Sequence, residues 1–339
     1  MAFSDVALLN DQLLPKALEH RDDDKVNRIA RFIEDVYQVT QSSGLYRVEA
    51  LPRIEDVLSL LDFAIVEDRP LSQSYRITEL RELRRTLVYA ICLALKEIRD
   101  NDRGLSHRFI LNLTAEDSVL SLNYDLIIDN AVLRGGLDLD YHITLRNSIN
   151  FARSPQLRDI RNQESRSVFK LHGSLNWLYC PRCQAIDVTP REKGALYIYD
   201  RGHPASHCKD CGVRYRPIII TPTFLKSYGN SFLTQIWREA ETELTNADEV
   251  IFIGYSLPDA DIILRTIFMR ALFENRMRRR REKSRETHKV RVVDLANGPD
   301  NETHRRYGRL FGTIDYDWTG FADYIDRGCK TVNQQTEDR

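Results

Sequence analysis

The chain has 339 residues, 42% hydrophobic and 29% charged. That is enough to bury one large α/β core with insertions, and too apolar for global disorder. A formal net charge of -1 excludes a strong overall field toward nucleic acid or an anionic membrane and leaves that role to local patches.

No apolar run is long enough to cross a bilayer. The start, MAFSDVALLNDQLLPKALEH, carries Asp5 and Asp11 and no basic stretch ahead of an apolar one, unlike an export signal. From about Asp24 to Asp100 the periodicity is helical. VNRIARFIEDVYQV sets Val26, Ile29, Phe32, Ile33, Val36 and Tyr37 on one face, and LRELRRTLVYAICLALKEIRD continues the period with charges opposite. Cys92, in the middle of that second run, reads as a buried core thiol.

The pattern then changes. SVLSLNYD (118–125), VFKLHG (168–173), PIIITP (217–222), DEVIFIGYS (248–256) and VRVVDLAN (290–297) are apolar runs that end in polar residues or glycine. Runs apolar on both faces belong to parallel sheets covered on both sides. Helical patterns at 231–246 and 261–278 alternate with the later runs, so the expected fold class is α/β, a Rossmann-like doubly wound parallel sheet. Ligands in such folds sit at the carboxyl ends of the strands. The residues found there are Asn123, Asp125, His172, Gly254, Ser256, Asp294 and Asn297. The polar stretch 153–167 reads as a loop and 331–339 as a tail.

Four of the six cysteines form two C-x2-C pairs, Cys180 with Cys183 and Cys208 with Cys211, with 24 residues between the pairs. Each pair makes a tight knuckle that aims two thiolates at one point, and four thiolates close a tetrahedral zinc site with no open position. The expectation is a structural zinc ribbon over 175–216, with redox or free-thiol pairs as the alternative. His203 and His207 are spare ligands that two full pairs make unnecessary. Paired thiols without an export signal also point to a reducing, cytoplasmic location. Arg276 to Arg291 holds nine Lys or Arg against two Glu. This run reads first as a solvated helix end whose cations suit the helix dipole, and second as a contact for nucleic acid or an acidic partner. No aromatics interleave it, so base stacking is not suggested.

A strand ending in Asn-x-Asp, a strand ending in Leu-His-Gly, a four-cysteine ribbon after that histidine and a strand ending in Gly-x-Ser follow one another here. In this order they resemble sirtuins. KLHGSLNWLYC and VIFIGYSLPDAD are similar to the sirtuin-like branch of bacterial NAD-consuming defence proteins. The resemblance implies one NAD-binding domain over 1–330, with a helical insertion at 20–115 and the ribbon as a second insertion. It implies His172 as general base toward the nicotinamide ribose, Asn123 orienting the ribose or the attacking water, and Asp125 holding the nicotinamide carboxamide. Gly254, Tyr255 and Ser256 would lie along the phosphates and adenosine, and Asp294 or Asn297 would reach the adenine side. The plainer readings are a satisfied structural histidine, Asn123 and Asp125 as caps of a helix starting near Leu126, a strand-to-helix turn at 254–256 capped by Asp259, and an ordinary turn at 294–297.

Two departures matter. The family opens with a strand and a glycine-rich phosphate loop, whereas the first glycine here, Gly44, follows a helical pattern. Either the start is recorded too late, or the NAD site lacks its phosphate loop. Deacylating sirtuins also carry a Phe-Gly-Glu type motif after the ribbon, and PIIITPTFLKSYGN has none. Water is then the expected acceptor, and the reaction is hydrolysis of NAD to nicotinamide and ADP-ribose. The alternatives are an NAD-dependent protein deacylase and an inactive nucleotide-binding or assembly module. Unrestrained NAD hydrolysis would drain its host, so a homo-oligomer or a regulatory protein partner is expected.

Overall fold

The computed structural model describes residues 10–19, 23–42, 45–96, 104–143, 165–189, 192–199, 203–219, 231–258, 261–281 and 289–329. Gly44, Asp259, the stretch 153–164, the middle of the basic run and the tail 331–339 lie outside them.

The N-terminal part is helical, as the periodicity requires: α1 (Asn10–Ala17), α2 (Asp24–Tyr37), α3 (Ile54–Val66) and α4 (Ile77–Lys96), with a short hairpin of β1 (Gln41–Ser42) and β2 (Leu45–Tyr46). The Asp23 side chain caps α2 by accepting from the Lys25 N–H, and Val26, Ile29, Phe32 and Ile33 are buried on one face. Each such side chain contributes roughly 1.5–3 kcal/mol on burial. Cys92 is fully buried in this core, and burial pushes its pKa up to about 12, so it stays a thiol.

The α/β part follows as α5 (Leu105–Asn112), β3 (Ser118–Ser121), α6 (Ile127–Arg134), β4 (Asp138–Asp140), β5 (Ser165–Lys170), β6 (Gly173–Cys180), β7 (Ala185–Val188) and β8 (Arg216–Ile219). Then come α7 (Ser231–Asn246), β9 (Glu249–Ile253), α8 (Ile262–Arg281), β10 (Lys289–Val293), α9 (Glu302–Phe311), β11 (Asp315–Asp317) and α10 (Phe321–Asp326). The parallel strands form two sheets of three, ordered β3-β5-β4 and β11-β10-β9. Both belong to one layer. Phe169, Val250, Phe252, Val290 and Val292 share a core with α7 and α8. On the other face Val168 packs with α5 and α6, and Ile251, Ile253 and Val293 pack with Phe109 of α5 and with α10. Two helical layers therefore sandwich the strands, which is the doubly wound arrangement. Among the described residues no strand joins β3 to β9, so each keeps one unpaired edge.

One strand is placed differently from expectation. The apolar run at 217–222 read as a parallel strand, but β8 pairs antiparallel with β6 in a separate sheet, β7-β6-β8, and residues 220–222 lie outside the described set. Four apolar residues do not state their partner. Here the partner is β6, whose first residue lies against Ile219. β6 runs unbroken from Gly173, next to His172, to the metal-type ligand Cys180. Lys193 then ties the ribbon to the helical part, since its ammonium donates to the Leu95 and Lys96 carbonyls at 2.7 Å each and closes orphan acceptors at the end of α4.

Candidate active site

The turn after β3 carries Asn123 and Asp125, and the segment after β5 fixes it. The Leu171 N–H donates to the Ser121 carbonyl at 3.0 Å, and the Leu175 N–H to the Tyr124 carbonyl at 3.0 Å. His172 Nδ1 lies 3.1 Å from the Leu122 carbonyl, and Lys170 Nζ donates to the Asp125 carbonyl at 2.6 Å. A carbonyl can only accept, so Nδ1 of His172 carries the proton. In the neutral ring Nε2 is then the nitrogen whose lone pair can act as a base. The ring is half-buried and lies over Tyr124, with centroids 6.1 Å apart.

Asn123 is exposed, and its N–H donates to Ser121 Oγ at 3.3 Å. Asp125 is 4% exposed, and its Oδ1 accepts the Ile127 N–H at 3.0 Å at the start of α6, the capping task that the plainer reading assigns it. Burial raises the Asp125 pKa, with the Lys170 charge and the Ile127 N–H opposing. Tyr124 points into the helical core, where burial and then the Glu55 charge push its pKa far up.

A second group sits at the ends of β9 and β10. Gly254 has φ +62°, is exposed, and has nothing within 4 Å of where a Cβ would stand. It therefore offers open backbone that a bulkier residue would hold less easily. The Tyr307 hydroxyl donates to the Tyr255 carbonyl at 2.8 Å and Arg306 Nη1 to the Ser256 carbonyl at 2.6 Å. The Tyr255 hydroxyl donates to Asp261 at 2.8 Å. Asp294 takes the Tyr316 hydroxyl at 3.0 Å and the Leu295 N–H at 2.9 Å, while Asn297 is exposed. The two groups share the carboxyl end of the sheet layer, and no hydrogen bond between described residues joins His172 to 254–256. Sequence reasoning missed Lys170, Arg306, Tyr307 and Tyr316. Lys170 sits inside an apolar run, and α9 lies in a stretch that reads as turn and charge.

The four cysteines meet. Their sulfurs all lie within 4.8 Å of one another, with Cys180 to Cys211 at 3.4 Å and Cys183 to Cys208 at 3.9 Å. A tetrahedral thiolate ion with bonds of about 2.3 Å sets its sulfurs about 3.8 Å apart, so the donor set fits a metal such as zinc. Burial opposes the Cys180 thiolate, but N–H groups of Cys183 and Arg182 and the Cys211 thiol outweigh it and lower its pKa. His203 and His207 face other work: His203 accepts from the Ala205 N–H and stacks on Tyr197, and His207 bonds Ser206. Residues 276–281 of the basic run form the end of α8, where Arg279 is buried against Asn275 and Asp248, and Arg278 donates to the Thr245 and Asn246 carbonyls.

The family model of the SIR2-like domain matches residues 117–307, more than half of the chain. The chain belongs to the SIR2-like domain family. Solved structures similar to it include a Sir2 complex with a p53 peptide and NAD+, 17% identical, covering 91% of this chain and 90% of that one at a TM-score of 0.42. A structure on sirtuin substrate affinity is also 17% identical, with coverage of 90% and 89% and a TM-score of 0.41. A third, on the mechanism and regulation of Sir2 enzymes, is 16% identical, with coverage of 78% and 79% and a TM-score of 0.39. A search of curated proteins found no match. The match of this SIR2-like domain begins just before β3 and ends within α9, so it includes both site groups and the ribbon. No helix of the described residues is long and apolar enough to cross a membrane.

Proposed function

We propose that this SIR2-like domain hydrolyses NAD to nicotinamide and ADP-ribose. The observation that carries the reading is the tie between His172 Nδ1 and the Leu122 carbonyl. It makes Nε2 the acceptor nitrogen and ties the ring to the residue before the exposed Asn123, at the carboxyl end of the strands. In the reaction the bond from nicotinamide to ribose C1′ breaks and a water oxygen bonds to C1′. The proton lost by that water passes to His172 Nε2. Asn123 orients the water or the ribose. The second carboxylate oxygen of Asp125 accepts from the carboxamide, its first being engaged by Ile127. Gly254, Tyr255 and Ser256 follow the phosphates and adenosine, with Asp294 and Asn297 on the adenine side. Zinc held by Cys180, Cys183, Cys208 and Cys211 is structural, because four thiolates leave no site for substrate. Thiols in that state suit a cytoplasmic location.

Water as the acceptor rests on the sequence after the ribbon, where the peptide-binding motif is missing. A role in bacterial defence rests on the resemblance alone. The test is NAD loss and product identity, with and without an acetyl-lysine peptide. Nicotinamide and ADP-ribose without peptide, and loss of at least about a hundredfold in His172→Ala and Asn123→Ala with unchanged Tm, are expected. Turnover that requires the peptide makes the protein a deacylase instead. A folded wild type that neither binds nor consumes NAD makes it an assembly module.

A further inference from the structure

We propose that Lys170 is the positioning residue that sets the turn carrying Asn123 and Asp125 for NAD; the catalytic part of this rests on the function proposed above. Residues alternate faces along β5: Phe169 turns to α7 and α8, while Val168 turns to α5 and α6. Lys170 shares the face of Val168, and its side chain is 0% exposed under α6. An ammonium buried there is costly, and a buried ion pair is often replaceable by apolar residues without loss of stability. A charge pair for stability alone is therefore a weak reason for this lysine.

Its bonds point elsewhere. The shorter one, 2.6 Å, goes to the Asp125 main-chain carbonyl, and the longer, 3.1 Å, to Asp129 Oδ2. Asp129 is held in turn: its Oδ1 accepts from the buried Tyr141 hydroxyl, which accepts from Asn176 Nδ2 at 2.8 Å. Burial and the Asp129 charge keep the Tyr141 phenol protonated, so it stays a donor. The chain from β6 through Tyr141 and Asp129 thus aims one ammonium at one peptide plane. That plane precedes Leu126, the residue before α6, whose φ of -108° and ψ of 19° are not helical. Of the carbonyls of Ser121, Leu122, Tyr124 and Asp125, all held by residues 170–175, only that of Asp125 accepts from a lysine side chain. Lys170 also stands two residues before His172, so base and turn are set from one strand end.

The test uses the full chain with Lys170→Met and with the double variant Lys170→Met/Asp129→Leu, which removes both members of the buried Lys170–Asp129 pair. Two readouts are taken: amide hydrogen exchange at Asn123 and Ile127, whose N–H groups bond Ser121 Oγ and Asp125 Oδ1, and kcat and KM for NAD. The expected double variant folds with a Tm near wild type. It exchanges those two amides about tenfold faster while β9 and β10 are unchanged, and kcat/KM falls at least about tenfold, mostly in KM. A double variant that fails to fold, or that folds with exchange unchanged, overturns the proposal and leaves Lys170 a structural charge partner. Wild-type protein that does not turn over NAD sinks the functional reading alone, and the exchange result still decides what Lys170 does for the turn.

Discussion

Gly173, next to His172, and Asp125 show how much depends on single positions. Gly173 has φ +85°, and a Cβ there would lie 2.0 Å from the Ile218 carbonyl oxygen. Gly173→Ala must bend the β6–β8 contact or the turn, and we expect a loss of about 3 kcal/mol or more in chemical denaturation. Asp125 has two tasks that a substitution separates. Asparagine keeps an oxygen for the Ile127 N–H but no charge. Burial raises the folded pKa of Asp125 above its unfolded value, so between the two the folded state holds more protons and stability falls as pH rises. Asp125→Asn is therefore expected to gain in Tm relative to wild type as pH goes from 4 to 7, while NAD consumption drops. A variant that tracks wild type across that range would show that the carboxylate is not strained by its burial.

The ribbon is the element whose role is easiest to isolate. β6 starts next to His172 and ends at Cys180, so a metal held at one end would brace the histidine at the other. Structural metal supplies folding free energy directly. Cys208→Ser, or chelation, is expected to remove one zinc per chain by elemental analysis. It should lower the Tm by roughly 4 °C, equivalent to about 3 kcal/mol for a cooperative unit of this size, and reduce NAD turnover as well. An unchanged Tm after the metal is gone would make the cysteine cluster incidental to the fold. The end of α8 is a counterweight to reading charge runs as sites. Arg278 and Arg279 spend their donors on Thr245, Asn246, Asn275 and Asp248, so these two are committed to the fold.

On the scale of the molecule, the helical part is not an appendage. Its core includes Tyr124 and Leu126 of the turn after β3, Leu175 of β6 and Ala195 of the ribbon segment, and Lys193 bonds the end of α4. We expect one cooperative thermal transition by circular dichroism and by calorimetry, and a chain starting at Gly104 that does not reach the native state, since it would expose all of these. Two separate transitions would refute that. α5, read as part of the helical insertion, packs instead on α6 and α10, because Phe109 and Ile110 find apolar partners there. The sequence by itself determined what local periodicity and ligand chemistry carry: the long helices, the α/β alternation, the cysteine cluster and the polar ends of the strands. It could not determine which strand β8 joins, because a four-residue apolar run fits either sheet. Nor could it show that a lysine inside VFKLHG is neutralised by Asp129 of α6, or that Arg306 and Tyr307 reach back to the end of β9. Those contacts span from 41 to 52 residues of chain. They exist only once the strands are side by side, and tertiary packing alone decided them.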